Sequence, residues 1–433
     1  MNTITFIIIV NAVLAIVLQA VLPHLRHVIM FACAVLALVL ATLEYPIGAF
    51  LGSLPWDTVL ILFALTVFGE FIFGSKLFDV LIRKIATICK GKVYLILIVF
   101  NIIVFLVGCL INNYQTLLIV IPALLGILKL VDSINKWYLT ILFSSILIIC
   151  NLAGASTPIG DFPALYLLSQ GVISFGSYFS NATPFAVLAT VVIILLSLLF
   201  YKMKPIKVSK EAEKLSVAYT VALYRNVKIN KHLLCSAIIV FIGMFVFWFL
   251  GYNPTKVALI GLSVLAMLIQ LGKYAEKKII STDASIFIYF ICLFIIVASI
   301  QQTGVLDSIA GYLKTIENPT ILLIVFSGIT VLVTGLVSAG PSTVAFFPVA
   351  IQIAPQYADN VVITCFCLSI CAGSSLFLTA ATAGPLLQQM TEKYPLTING
   401  NNYLFSFKDY VIPGIIGASV IFLSNILYIF IHL

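Results

Sequence analysis

Charge is what this sequence lacks. Asp, Glu, Lys and Arg make up 9% of its 433 residues, against 62% hydrophobic residues. An ordinary soluble domain carries about 25% charged residues. Mean hydropathy is +1.21. This balance excludes a water-soluble globule, a disordered chain, a coiled coil, collagen and a disulfide scaffold. Histidine is nearly missing too: His24, His27, His232 and His432 all flank apolar segments, which argues against a buried histidine-based catalytic centre. Acidic residues number 15 against 23 basic ones, for a net charge of +8. In a membrane protein such a surplus gathers in cytoplasmic loops and sets orientation, so it is not a nucleic-acid signal. The nine cysteines, Cys33, Cys89, Cys109, Cys150, Cys235, Cys292, Cys365, Cys367 and Cys371, lie nearly all in apolar runs, where a free thiol behaves as a small hydrophobe. Cys365, Cys367 and Cys371 lack both the C-x2-C spacing and a nearby His, so no metal site is read there. The first apolar run, 4–22, has no basic leader and no small-residue cleavage site, and reads as a retained span.

What the sequence does have is apolar runs of membrane length. About 20 apolar residues cross the hydrocarbon core. Clear candidates are 4–22, 28–48, 57–75, 184–201, 233–251, 255–271, 284–303 and 409–431. Three longer stretches, 93–130, 138–170 and 320–390, are interrupted. The breaks fall at Asn112-Asn113, at Ala155-Ser156-Thr157-Pro158, at Ser338-Ala339-Gly340-Pro341 and around Gly373-Ser374-Ser375. Irregular backbone at membrane depth survives only when buried in protein or lining an aqueous cavity. One break reads as a kink; four, in matching places of two halves, read as a site.

The halves match in order. Trp56-Asp57 opens a span ending at Gly74, followed by an amphipathic piece with Asp79; Asp283 opens a span ending at Gly304, followed by one with Asp307. A first break and a proline follow (Pro122; Pro348), then a second break and a last span. The sequence therefore predicts an all-α polytopic membrane protein: a first repeat over 1–201, a basic linker over 202–232 and a second, inverted repeat over 233–433. The linker carries Lys202, Lys204, Lys207, Lys210, Lys214, Arg225, Lys228 and Lys231. Charge favours hairpins at 93–130 and 320–354 over single crossings. With a hairpin at 93–130, Lys129 and Lys136 share a face with Lys76, Arg83, Lys84, Lys90, Lys92, the linker, Lys273, Lys277, Lys278, Lys393 and Lys408; only Lys256 and Lys314 fall outside. The positive-inside rule prefers that arrangement. It gives ten spans, two re-entrant hairpins, broken helices at 138–170 and 360–390, and both termini outside.

The densest chemistry lies in Asn151-Leu-Ala-Gly-Ala-Ser-Thr-Pro-Ile-Gly-Asp-Phe-Pro-Ala164. Gly154 and Gly160 permit close backbone approach, and Pro158 frees a carbonyl. Asp161 precedes a half-helix whose dipole favours negative charge. It reads both as the cap of 162–170 and as the coupling-ion residue. Unwound carbonyls suit cations and half-helix N-termini suit anions.

This stretch resembles the N-I-G-G-x-A-T-L-I-G-D-P-P-N element of the ion transporter superfamily, in its arsenite-permease and NhaD-type sodium/proton antiporter branch. Asn151, Gly154, Thr157, Ile159, Gly160, Asp161 and Pro163 match in register; Phe162 and Ala164 depart from it. Gln301-Gln-Thr-Gly-Val-Leu-Asp307 resembles that branch's E-E-T-G-x-F-D, and Ser375 to Ala383 is similar to its second-half G-T-L-I-G-A-S-A-N. The resemblance covers almost the whole chain. It implies a secondary transporter holding cargo between two hairpin tips and two breaks, an elevator motion by analogy, a homodimer, and a bacterial inner-membrane location.

The tips depart from the D-N-x-P-T of cation-exchanging members. Asn112 and Ser338 stand in the aspartate places. With both tips neutral, Asp161 is left as the charged group near the centre, while hydroxyls and amides suit an oxyanion or carboxylate. The expected substrate-binding set is Asn112, Asn113, Thr116, Asn151, Ser156, Thr157, Ser338, Pro341, Ser342, Thr343, Ser374, Ser375, Thr379 and Thr382. Glu44 and Glu70 sit in or beside spans; pairing of Glu70 with Lys76 and a proton-coupling role both remain open. Asn181-Ala-Thr183 matches a glycosylation acceptor. The expected function is secondary transport of a small anion or carboxylate, coupled to sodium ions or protons, with no other cofactor and no enzymatic activity. A sodium/proton antiporter and an anion channel of the same fold are the alternatives. The expected partners are the small ionic substrate and the lipid bilayer, and no nucleic acid.

Overall fold

The computed structural model describes residues 3–22, 25–43, 46–129, 134–206, 209–223, 225–269, 284–357, 360–381, 383–398 and 401–433. His24, Glu44, Lys207, Lys273, Lys277, Lys278, Asp283 and Thr382, singled out above, lie outside these residues. The first half runs α1 (Thr3–Val21), α2 (Arg26–Ala41), α3 (Ile47–Gly52), α4 (Trp56–Gly74), α5 (Leu77–Cys89), α6 (Val93–Gly108), α7 (Asn113–Leu128), α8 (Lys136–Ser156), α9 (Phe162–Ser169) and α10 (Phe175–Met203). The linker contributes α11 (Lys210–Leu223). Then come α12 (Lys231–Phe249), α13 (Pro254–Leu268), α14 (Ala284–Gln301), α15 (Val305–Lys314), α16 (Pro319–Val337), α17 (Ala339–Ile353), α18 (Val361–Ser374) and α19 (Gly384–Lys393). A short antiparallel hairpin, β1 (Leu396–Ile398) with β2 (Asn401–Tyr403), precedes α20 (Phe407–His432). The fold is that of an all-α membrane protein.

Helix ends follow from local chemistry. Asn112, Asn135, Ser174, Asn230, Asn253 and Asn318 each cap the helix that follows by accepting a backbone N–H, which replaces a bond the first turn cannot make itself. Ser406 and Asp409 form a reciprocal capping box on α20. Among the described residues six helices, α4, α8, α10, α12, α16 and α20, are long and apolar enough to cross a bilayer, and α14–α15, bent by 67°, makes a seventh if counted as one span. The expected spans 28–48 and 255–271 come out shorter, as helices of 16 and 15 residues. Pro46 starts a new helix after α2, and Pro254 fixes the first residue of α13.

Element order recurs. Lys76 (φ 63°) and Gly304 (φ 71°) make left-handed turns from α4 into α5 and from α14 into α15. Pro122 and Pro348 lie inside α7 and α17, and Pro184 and Pro413 inside α10 and α20. A helix-interior proline removes one backbone bond and bends the rod.

Hydrogen bonds and an ion pair tie the helix ends into two faces. At one, Thr255 Oγ1 donates to the Asp57 carbonyl (3.3 Å) and Asn360 Nδ2 to Ser177 Oγ (3.3 Å). Phe175 stacks on Trp248 at that face too. At the other, Asn230 N donates to the Ser75 carbonyl (3.0 Å), Trp137 Nε1 to the Phe200 carbonyl (3.0 Å) and Lys136 pairs with Asp409 (2.7 Å). Tyr138 Oη donates to the Val93 carbonyl (2.8 Å), so α6 and α8 start together at this second face. The helix α8 is the axis of the molecule: 94% of its apolar window is buried, against 33% for α10 and α12. The latter expose apolar side chains on their outer faces, as lipid requires.

Candidate functional site

The two interrupted regions of the first half are laced together. Tip 1 lies between α6 and α7. Asn112 accepts from Tyr114 N (2.8 Å), and Thr116 Oγ1 donates back to the Asn112 carbonyl (3.1 Å). Break 1 lies between α8 and α9. Thr157 Oγ1 donates to the Cys109 carbonyl in tip 1 (2.7 Å). Gly160 makes the contact close: a β-carbon there would lie 2.8 Å from the Gly108 carbonyl oxygen and 2.8 Å from Gly154 Cα.

The freed carbonyls of break 1 were expected to suit a cation. Two of them are already taken. Tyr178 Oη donates to the Ala155 carbonyl (2.8 Å) and Thr183 Oγ1 to the Ser156 carbonyl (2.7 Å). The glycosylation match Asn181–Thr183 lies inside α10, where its threonine makes this bond. Ser156 Oγ donates to the Ala153 carbonyl (2.7 Å). Asp161 caps α9 through Phe162 N (2.9 Å), as its position predicts.

What is left uncommitted is narrow. The Asn113 side chain is fully buried, and neither its amide nitrogen nor its oxygen has a partner among the described residues. It borders Gly154, and so does Asp161: a β-carbon on Gly154 would lie 2.7 Å from both Asn113 Oδ1 and Asp161 Cβ. Two cavities flank Asp161. One, about 20 Å³, reaches Thr66, Asn112 and Phe241; the other, about 10 Å³, reaches Gly154, Tyr178, Cys367 and Cys371. Each has room for about one water or a bare cation.

The second half is built alike. At tip 2, between α16 and α17, Ser338 adopts φ 134°, ψ 157°, a strained backbone for a residue with a side chain. The next residue, Ala339, donates its N–H to the Ala380 carbonyl in break 2 (3.3 Å). Thr343 Oγ1 donates to the Ala339 carbonyl (2.6 Å), Pro341 is buried, and the buried Ser342 Oγ has no partner among the described residues. At break 2, Ser374 Oγ donates to the Cys371 carbonyl (2.9 Å), and Tyr410 Oη to the Ser375 carbonyl (2.8 Å). Thr379 is exposed on this break, apart from the buried polar groups it was expected to join. Asn151 Nδ2 donates to Ser375 Oγ (3.1 Å), joining break 2 to α8.

The expected residues thus fall into two clusters, tip 1 with break 1 and tip 2 with break 2, bridged by Asn151 and Ser375. Most spend their polar atoms on local structure; Asn113, Ser342 and one oxygen of Asp161 do not. Sequence reasoning missed Thr334, buried with an unpartnered Oγ1. Its signal was its place, one helical turn before Ser338. It also missed Gln115, whose Nε2 donates to the Thr66 carbonyl (3.2 Å) across the face of Gly69.

A family model described as citrate transporter (CitMHS) matches residues 7–371. The magnetosome protein MamN of Magnetospirillum gryphiswaldense is 24% identical over 377 residues, covering 83% of this chain and 82% of that protein. An uncharacterized transporter of Synechocystis, slr0753, is 23% identical over 369 residues, covering 78% of this chain and 79% of the relative. A 46 kDa membrane protein of Mycobacterium leprae is 22% identical over 314 residues, covering 71% of each.

Proposed function

The chain belongs to the citrate transporter (CitMHS) family, a family of membrane transporters and not of enzymes, and from that premise we propose that it is a secondary active carrier of a small carboxylate or related anion, coupled to sodium ions or protons through Asp161. The observation that carries the reading is the pair of buried, unpartnered polar side chains at the hairpin tips, Asn113 and Ser342. A buried amide or hydroxyl without a partner is unfavourable by about 1–3 kcal/mol. A ligand accepting or donating hydrogen bonds there relieves that cost. The cavities at Asp161 are too small for a carboxylic acid, so cargo entry requires tip and break to part, by an elevator motion or a local opening. The likeness of the 151–164 stretch to the arsenite-permease and NhaD-type branch stays part of this proposal, as do the inverted relation of the halves and a homodimer in the inner membrane. One observation favours a sodium/proton antiporter as second reading: the space beside Asp161 is about the size of one water and is lined by that carboxylate, which suits a small cation.

Asn113→Ala and Ser342→Ala test the reading. Each is expected to weaken cargo binding by tenfold or more, since a hydrogen bond to a charged ligand contributes about 1.5–3 kcal/mol. Neither is expected to lower the melting temperature, because each deletes a polar group that the fold leaves unsatisfied. Uptake in proteoliposomes and thermal melting on the same preparations check this. Wild-type transport by both variants moves the site elsewhere, and loss of stability makes the two side chains structural.

Sidedness follows from charge. Lys76, Lys92, Lys129, Lys136, Lys204, Lys231, Lys393 and Lys408 lie toward the face of the Lys136–Asp409 pair, and Lys256 and Lys314 toward the opposite one. By the positive-inside rule the first face is cytoplasmic. A cysteine at the exposed Lys214 should be protected from an impermeant thiol reagent in whole cells, and one at the exposed Glu317 should react, in a background freed of native cysteines. The reverse pattern inverts the topology. Glu317 is preferred to Asn318, which caps α16.

A further inference from the structure

Away from the tips, a cavity of about 280 Å³ opens between α8, α10 and α20. Its walls are apolar, formed by Ile141, Ile148, Ile193, Ile412 and Ile416. Its floor is closed where Gly417 lets α20 approach Ile148: a β-carbon on Gly417 would lie 2.5 Å from Ile148 Cδ1. No residue of either tip or break lines it.

Its mouth is built for an anion at a membrane surface. Trp137 lines it, donates its indole N–H to the Phe200 carbonyl (3.0 Å) and carries Lys204 over its ring, 5.0 Å from the centroid. Tryptophan concentrates at the level of lipid headgroups. Lys408 lines the mouth as well, and Lys136 reaches it through Asp409 (2.7 Å). Lys136, Lys204 and Lys408 thus stand around the mouth, with Asp409 as its carboxylate. Seven residues into α8 from Trp137, about 10 Å along the axis, sits Ser144. It lines the cavity, is 1% exposed, and its Oγ has no partner among the described residues.

We propose that this cavity holds one acyl chain of an anionic glycerophospholipid of the bilayer, with the headgroup phosphate among Lys136, Lys204 and Lys408 and a glycerol ester carbonyl accepting from Ser144 Oγ. Each feature answers one part of that ligand. The basic mouth beside Trp137 answers the phosphate, since basic clefts between helices on the cytoplasmic side collect anionic headgroups. The buried hydroxyl answers an acceptor just below the headgroup, where a lipid carries its esters. The isoleucine-lined depth answers the chain. A free fatty acid fits less well. With its carboxylate at the lysines it offers no second acceptor to Ser144, and with its carboxylate at Ser144 it buries a charge without a cation.

Delipidated full-length protein is titrated with dioleoylphosphatidylglycerol, dioleoylphosphatidylcholine and oleate, and thermal melting is followed. Phosphatidylglycerol is expected to raise the melting temperature at concentrations at least tenfold below those of phosphatidylcholine. Ser197→Phe, which fills the cavity from α10, should abolish the difference. Ser144→Ala, a mild change, should weaken phosphatidylglycerol about three- to tenfold, the effect of one neutral hydrogen bond. Lys408→Glu should weaken it further and flatten its salt dependence. Equal shifts with both lipids, a shift that survives Ser197→Phe, an unchanged affinity in Ser144→Ala, or stabilisation by oleate alone each overturn the proposal.

Discussion

Asp161→Asn is expected to abolish ion-driven accumulation while the protein stays folded. Asparagine caps a helix as well as aspartate does, so the bond from Phe162 N and the start of α9 are retained. What goes is the carboxylate. Asp161 is the acidic residue lining the two small cavities beside tip 1 and break 1, and neither is lined by another. A neutral amide there no longer draws in a coupling cation or carries a proton. The effect is large because one coupled charge is worth about 2.3 kcal/mol per 100 mV of membrane potential. That energy is roughly a fifty-fold concentration gradient, and the variant is expected to lose it. Flux in proteoliposomes under an imposed gradient reads accumulation, and a binding assay on the same variant reads cargo affinity. Binding without accumulation is the expected result. Full accumulation reduces Asp161 to a helix cap. Loss of sodium binding, with no anion bound by the wild type, favours the antiporter.

The breaks were legible because the chemistry that makes them is local. Pro158, Gly160 and Asp161 together disfavour a continued helix, and an asparagine at a turn before an apolar run is a favoured cap. A left-handed turn and a helix-interior proline recur at the same steps along the chain. The use of each polar atom was not legible. Thr157 is spent on the Cys109 carbonyl, 48 positions away, and Ala155 on Tyr178, 23 away. Which of fourteen plausible ligands stays uncommitted is decided by such pairings, and they exist only after the helices have packed. Asn113 and Asn112 differ by one position in sequence. One caps α7, and the other is buried with no partner among the described residues. Thr334 was passed over because it sits in an unbroken apolar run, where a threonine usually bonds back to its own helix.

Gly160→Ala is expected to destroy transport by a different route, through the fold of the site. Its β-carbon would lie 2.8 Å from the Gly108 carbonyl oxygen, 2.8 Å from Gly154 Cα and 2.9 Å from the Gly154 carbonyl oxygen. All three are backbone atoms, so no side chain can swing aside. Either tip 1 lifts off break 1 or the break rebuilds. Overpacking of this kind typically destabilises by about 1–3 kcal/mol. Lifting the tip also breaks the Thr157 bond to the Cys109 carbonyl, another 0.5–1.5 kcal/mol or about that. Gly126→Ala is the matched control. It lies inside α7, nothing stands within 4 Å of its would-be β-carbon, and alanine is favoured over glycine in a helix by about 1 kcal/mol. The control should transport normally and melt at or above the wild-type temperature. Gly160→Ala should melt lower and bind neither cargo nor coupling ion, whereas Asp161→Asn keeps its stability and can keep its cargo. If Gly160→Ala melts and transports like the wild type, tip 1 and break 1 do not make the contact on which the proposed site depends.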